Sequence, residues 1–245
     1  MVYLLIFLTP LVNFILFEAF FLKPGLFYIA LGLSVLSYLV AIRVITGLKA
    51  KTVAFWNFSI LPILFTSSLA IYSLLIVNHV LIHILFAINF LFGYFYLKNI
   101  YRGEKTDFLE NISSYGNLLT VFFTFSVIYG LESFLGWPIW ILILCSAAVI
   151  LLIVYQVLWT NRVKGEGILG YIFLSGLLMA QLSWAIYFLP FNFNTLGLIA
   201  TICYYLLIGF IKLSLADKLT KRSLKLYLAS GIIFLLLILL TTKWA

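Results

Sequence analysis

Charged side chains are scarce in this sequence. They make up 9% of its 245 residues, and hydrophobic residues make up 65%. An average soluble domain has about 25% charged residues. Too few charged residues are present to form the hydrated surface of a soluble domain. The net charge is +8, but without a soluble domain there is no basic face on which nucleic acid would bind. The mean hydropathy of +1.22 indicates an integral membrane protein, with the lipid bilayer as its surroundings and no nucleic-acid partner.

Sequence motifs that would name a chemical reaction are also missing. The chain has no glycine-rich phosphate loop, no CxxC pair, no aspartate cluster for magnesium diphosphate, no HExxH and no GxSxG. The sequence therefore requires no cofactor and indicates no enzyme class. Its two cysteines, Cys145 and Cys203, fall inside apolar stretches, where we expect buried, free thiols rather than a disulfide.

Long apolar stretches fill nearly the whole chain. Each is long enough to cross the roughly 30 Å hydrocarbon core as a helix, and none shows the alternating polarity of a barrel strand. We therefore predict an all-α polytopic transmembrane helix bundle, with residues 1–245 forming a single integral membrane domain. The break at residues 78–79 is the weakest boundary. The predicted spans are 2–22, 25–45, 53–77, 79–101, 114–135, 137–159, 167–189, 194–215 and 224–242.

Basic residues between these spans predict the orientation of the chain, because lysine and arginine in short loops stay on the cytoplasmic side. Thirteen of the fifteen lie in the connections that follow even-numbered spans, and Lys23 and Lys243 lie on the opposite side. This asymmetry predicts a cytoplasmic amino terminus and an outer carboxyl terminus, and we expect the cytoplasmic membrane of a bacterium. The basic loops also predict attraction to anionic lipid headgroups.

A repeat of 57 or 58 residues is visible along the chain. It relates Tyr72 to Tyr129 and Tyr187, and a step of 114 residues relates Glu18 to Glu132. The pattern predicts parallel two-helix hairpins followed by a final helix. Chance similarity among apolar segments is an equally good explanation. The hairpins would cover about 1–52, 53–111, 112–166 and 167–222, with the final helix at 223–245.

Two acids stand apart from the basic loops. Glu18 and Glu132 lie within predicted spans, each six residues before a proline, whereas the other five acids lie among lysines and arginines. A carboxylate at membrane depth is costly unless it is paired, hydrated or neutral, so it indicates a functional site. The alternative is that both acids reach the water of the headgroup region.

Further polar and aromatic residues fall in the same predicted outer half. They extend the predicted substrate or proton pathway to Gln181, Trp184, Tyr72, Tyr129 and Tyr187, beside Glu18 and Glu132. Trp184 follows Gln181 by three residues on one helix face, and it is the aromatic residue that we most expect to contact a ligand. Packing is the commoner role for such a residue.

The two histidines of the chain are four residues apart. His79 and His83 would project from one helix face, a spacing that binds zinc when a carboxylate such as Glu18 or Glu132 completes the set. A site at the membrane interface, or bonds to neighbouring backbone, explains them as well.

Several residues inside the spans have predicted structural roles. Pro10 and Pro62 remove backbone donors, and we expect Asn13 and Ser59 to satisfy the groups so freed. Asn89, at the centre of span 4, is expected to bridge helices. Tyr204 and Tyr205 are expected to need hydroxyl partners.

Three functions fit these observations. The leading hypothesis is a small transporter or permease with an outward-facing polar cavity, because acids at membrane depth mark ion and proton paths. The alternatives are a membrane-embedded lipid-modifying enzyme that uses His79 and His83, and a structural or assembly subunit with membrane protein partners.

Overall fold

The structure, a computed structural model, describes residues 2–102, 107–161, 167–215 and 220–242. Within these ranges, nine α-helices follow one another and no strand is present. A short 3-10 helix, Pro24–Leu26, precedes the second α-helix. The α-helices are α1 Val2–Leu22, α2 Phe27–Thr46, α3 Val53–Leu74, α4 His79–Arg102, α5 Asp107–Leu135, α6 Ile139–Thr160, α7 Ile168–Tyr187, α8 Phe193–Leu215 and α9 Lys221–Thr241.

All nine helices in the described ranges are long and apolar enough to cross a membrane, by length and composition. The predicted helical bundle is therefore confirmed, and the protein is an integral membrane protein. The uncertain break at residues 78–79 is also confirmed, since α3 ends at Leu74 and α4 begins at His79.

The chain packs as two compact units, residues 1–120 and 121–245. The boundary falls inside α5. In the first unit α1 packs against α2 and α4, and α2 packs against α3. In the second unit α6 packs against α7, α7 against α8, and α8 against α9. The single membrane domain and the hairpin repeat predicted from the sequence stay predictions.

Polar residues lie on the buried faces of the first unit. On α1 the buried positions include Thr9, Asn13, Phe17 and Phe20, which are three or four residues apart and so share one helix face. On α3 the buried residues include Asn57, Ser59, Thr66, Ser68 and Ser73. Apolar side chains cover the outside, as expected where lipid replaces water as the solvent.

The carbonyl group freed by Pro62 finds a partner that the sequence did not indicate. Proline 62 has no N–H for the carbonyl of Phe58, four residues earlier, and the Tyr96 hydroxyl of α4 donates to this oxygen at 2.8 Å. The expectation for Ser59 was wrong, because its hydroxyl donates to Phe55 O at 2.8 Å. Asn13, expected to serve Pro10, accepts a hydrogen bond from Ser37 of α2 at 3.0 Å.

Three further expectations can be compared with the structure. Asn89 does bridge helices, since Thr66 of α3 donates to its Oδ1 at 3.1 Å. The cysteines are free thiols, but Cys145 is exposed rather than buried. The hydroxyl of Tyr204 is buried and has no hydrogen-bond partner among the residues that the structure describes, whereas Tyr205 stacks on Tyr227 with ring centroids 5.9 Å apart.

Candidate functional site

The side chains of Glu18 and His83 are in hydrogen-bond contact in the first unit. The Nδ1 atom of His83 lies 2.9 Å from Oε1 of Glu18, and the two side chains are 48% and 26% exposed. Phe21 contacts both imidazole rings edge to face, with centroids 5.3 Å from His79 and 5.1 Å from His83. The carboxylate is therefore paired and still accessible.

The helix ends explain why these two residues meet. Glu18 lies four residues before the end of α1, and His83 lies four residues after the start of α4. Because the two helices pack antiparallel, both residues lie about 6 Å inside the same end of the first unit. The orientation predicted from the basic loops makes this the outer end.

A buried polar cluster lies deeper between the same helices. It consists of Asn13 on α1, Tyr38 on α2, Thr66 on α3 and Asn89 on α4, and each of these side chains is fully buried, at 0% exposure. Each residue is about 15–20 Å along its helix, counted from the helix start at 1.5 Å per residue. This depth is close to the middle of a membrane-spanning helix, so we call this set the mid-depth cluster.

Donors of the mid-depth cluster are left without acceptors. Among the described residues, the Nδ2 atoms of Asn13 and Asn89 and the Tyr38 hydroxyl have no partner in good hydrogen-bond geometry, and Tyr38 lies beside Thr66 and Asn13. A buried, unsatisfied polar group costs about 1–3 kcal/mol. Such groups commonly hold a water molecule or a polar ligand.

Gly93 makes room for the Tyr38 hydroxyl. A Cβ atom at this position of α4 would collide with Tyr38 Oη and would lie 3.3 Å from Cγ of Pro10. The absence of a side chain at Gly93 therefore lets the phenol reach the space between α1 and α4. In this way a glycine positions a member of the mid-depth cluster.

In the second unit, Glu132 has a different partner. The Tyr187 hydroxyl donates to its Oε1 at 2.9 Å, and the Tyr129 hydroxyl donates to Ser183 O at 3.1 Å. Both contacts join α5 to α7. The second carboxylate is thus held by a phenol, whereas the first is held by an imidazole.

The remaining residues of the predicted pathway, Gln181, Trp184 and Tyr72, take no part in these two carboxylate contacts. Gln181 and Trp184 lie on an exposed face of α7, and Trp184 packs on Trp140 and Phe188 with centroids 5.6 and 5.7 Å away. Tyr72 is buried, with 5% exposure. Within the described residues, no group of three or more His, Cys, Asp or Glu side chains is arranged to hold a metal. Metal binding at His79 and His83 stays a prediction.

The family model described as "Protein of unknown function (DUF5656)" matches residues 28–241. The chain belongs to this family. No curated protein and no solved structure matches the chain. The match to DUF5656 begins at the second residue of α2 and ends at the last residue of α9, so Asn13 and Glu18 on α1 lie outside it.

Sequence reasoning missed part of this site of the DUF5656 protein. It did not select Tyr38 or Thr66, because each of their spans contains several hydroxyl residues and neither residue stands out among them. It gave Asn13 only the role of satisfying a backbone group freed by Pro10. The signal that was available is their common depth, since all four cluster residues lie near the centres of their spans.

Proposed function

We propose that the protein is a small transporter or permease, in which the first unit carries protons or a small polar solute. The mid-depth cluster carries the proposal, because it brings unpaired donors to the centre of four membrane-spanning helices. Intramembrane polar and ionisable groups generally face a bundle interior and line a path for ions or protons.

The Glu18–His83 contact and two members of the mid-depth cluster, Asn13 and Asn89, lie on α1 and α4. Glu18 is five residues from Asn13 on α1, and His83 is six residues from Asn89 on α4. These separations correspond to about 7–9 Å along the helix axis. Water molecules held by the unpaired amides would connect the accessible carboxylate with the middle of the membrane.

Glu132 and Tyr187 supply a second carboxylate contact in the second unit. We propose that Gln181, Trp184, Tyr72 and Tyr129 shape the approach of solute in the respective units, as the sequence pattern predicted. The outer position of this approach follows from the predicted cytoplasmic amino terminus and belongs to the same proposal.

Proton flux in proteoliposomes tests the proposal. Purified protein is reconstituted with a pH-sensitive dye inside, and a potassium diffusion potential set with valinomycin drives protons across the membrane. We expect flux above that of protein-free vesicles, and a decrease of at least about tenfold, equal to ~1.4 kcal/mol of barrier, in Glu18→Gln. Asn89→Leu should lower the flux in the same direction, because it removes an amide from the path.

The matched control is Glu110→Gln, which removes a carboxylate close to the start of α5 and should leave the flux unchanged. Unchanged flux in the double variant Glu18→Gln, Glu132→Gln would exclude both carboxylates from the path. Flux that survives Asn89→Leu would exclude the mid-depth cluster.

The carboxylate–imidazole contact also gives specific support to a second function. A carboxylate that holds an imidazole in place is the usual arrangement of a general base, which is the chemistry of the lipid-modifying enzyme alternative. Stoichiometric zinc, iron or manganese in purified protein, lost in His79→Ala and His83→Ala variants, would favour the metal-dependent enzyme over the transporter.

A further inference from the structure

An apolar groove lies on the second unit. It has a volume of about 300 Å³ and is formed by α7, α8 and the start of α9. This volume is at the lower end of the range for ligand sites. Its lining residues are Tyr171, Leu174, Ser175, Leu178, Leu207, Phe210, Ile211, Ser214 and Leu224.

The two long walls of the groove have the same spacing. The four α7 residues and the four α8 residues each follow the pattern i, i+3, i+4, i+7, so each set forms one continuous helix face. Seven residues of helix span about 10 Å. The groove is therefore an elongated slot parallel to the helices, and its deeper part is lined by leucines.

Polar groups lie at one end of the slot. The hydroxyl groups of Tyr171 and Ser214 are 3.2 Å apart and connect α7 with α8. Tyr171 is three residues after the start of α7, and Ser214 is one residue before the end of α8. Both hydroxyls thus mark the end of the slot nearest the basic connection between α8 and α9.

Basic side chains of α9 lie near the same end, on a separate surface of this helix. Lys221, Arg222 and Lys225 line a shallow surface on the first turns of α9, and all three are exposed. Leu224, which lines the slot, lies one helical turn after Lys221 on the same face. Neither α7, α8 nor α9 contains an acidic residue. In the adjoining connections the sequence has two acids, Glu166 and Asp217, which offset only part of the positive charge of the basic residues there.

Packing of α9 fixes these basic residues beside the slot. Cβ atoms at Gly209 and Gly231 would meet Tyr227 at 2.6 Å and Leu206 at 2.6 Å. The two glycines therefore let α8 and α9 approach closely. Because α9 is held at these two points, its first turns remain next to Ser214.

We infer that this slot binds one anionic phospholipid, with an acyl chain against the leucines and the phosphate group beside Lys221, close enough to Arg222 and Lys225 to be attracted by their charge. The Tyr171 and Ser214 hydroxyls lie where the polar glycerol region of such a lipid would be. Charge complementarity identifies the occupant, because an uncharged apolar ligand would gain nothing from three cations at the mouth. Each basic residue near an anionic headgroup strengthens association by about fivefold.

Native mass spectrometry of the full chain in detergent tests the inference, with phosphatidylglycerol and phosphatidylcholine as probes. We expect one phosphatidylglycerol to bind at least about tenfold more tightly than phosphatidylcholine. The triple variant Lys221→Gln, Arg222→Gln, Lys225→Gln should remove most of this preference. The matched triple variant Arg43→Gln, Lys49→Gln, Lys51→Gln makes the same change of charge elsewhere and should retain it.

A second pair of variants tests the slot independently of charge. Leu178→Trp fills the deeper part of the slot and should weaken phosphatidylglycerol binding at least about fivefold, whereas Leu144→Trp, at a 71% exposed site of α6, should have no effect. Equal binding of the two lipids, equal losses in the two triple variants, or unchanged binding in Leu178→Trp would each overturn the inference.

Discussion

At the scale of single residues, hydrogen bonding inside an apolar medium is the main constraint. The carbonyl of Phe58 loses its helical donor because of Pro62, and the Tyr96 hydroxyl replaces that donor from the neighbouring helix. The hydrocarbon core of a bilayer offers such a carbonyl no water, so a partner from the protein stabilises it. Tyr96, with 1% exposure, thereby joins α3 to α4.

Replacement of Tyr96 by phenylalanine should lower the free energy of unfolding by about 1–3 kcal/mol, because the Phe58 carbonyl loses the hydroxyl that stands in for its helical donor. Titration with SDS in mixed micelles, followed by tryptophan fluorescence, measures this change. Tyr28→Phe, at an 83% exposed site, is the matched control and should change the stability by less than about 0.5 kcal/mol.

Combining Tyr96→Phe with Pro62→Ala tests whether the tyrosine hydroxyl replaces the backbone donor that proline lacks. It restores a backbone N–H that can reach the Phe58 carbonyl, so the loss caused by Tyr96→Phe should be smaller in the Pro62→Ala background. A double-mutant cycle measures this difference. If the changes in the free energy of unfolding caused by the two substitutions simply add, the Tyr96 hydroxyl does not replace the missing backbone donor.

At the scale of helices, glycines determine how closely neighbouring elements pack. Gly197 on α8 faces Ser126 on α5, and an added Cβ atom would lie 2.9 Å from Ser126 N and 3.1 Å from its Cα. Backbone atoms cannot move aside as a flexible side chain can. Small residues at such crossings let membrane helices approach closely where the hydrophobic effect does not drive them together.

Gly197→Ala should therefore destabilise the second unit by about 1–3 kcal/mol, the usual cost of overpacking. Gly170→Ala is the matched control within the same unit, because nothing lies within 4 Å of a Cβ atom there, and it should cause no loss. SDS titration again gives the comparison. Equal stability of the two variants would mean that α5 and α8 separate without cost.

At the scale of the whole molecule, basic residues predict the direction in which the chain crosses the membrane. Thirteen basic residues occupy one set of connections and two lie on the other side. The nine long helices of the described ranges fit this alternation. The predicted orientation places Gly25 outside and Lys49 in the cytoplasm.

Single cysteines introduced into a Cys145→Ala, Cys203→Ala background test this orientation. Gly25→Cys is tolerable because nothing lies within 4 Å of its Cβ position, and Lys49 is exposed. In right-side-out vesicles from a bacterial host, a membrane-impermeant maleimide should label Gly25→Cys directly and Lys49→Cys only after detergent is added. The opposite labelling pattern would reverse the topology.

The two glutamates have different partners in the two units of the molecule. Glu18 pairs with His83 on α4, and Glu132 accepts a hydrogen bond from Tyr187 on α7. The predicted repeat aligns Tyr187 with Tyr72 on α3. Equivalent positions in the predicted repeat therefore have unlike partners, and the two carboxylates are expected to differ in proton-flux assays when each is replaced singly.

The sequence alone determined the helical membrane fold, the number of predicted spans and nearly all of their limits. Hydropathy is a local property, and a run of about 20 apolar residues has to form a helix in lipid because its backbone groups need partners within the run. Glu18, Glu132 and His83 were also identified from sequence, because ionisable residues are conspicuous in an apolar background.

Only the tertiary structure decided which polar residues meet. The pairing of Glu18 with His83, the donation from Tyr96 to Phe58 and the mid-depth cluster all join residues that are distant in sequence. In an apolar chain these contacts depend on the rotation of each helix about its axis and on the points of close approach at glycines such as Gly93. Helices that are apolar on nearly every side do not encode that rotation in their hydrophobic pattern.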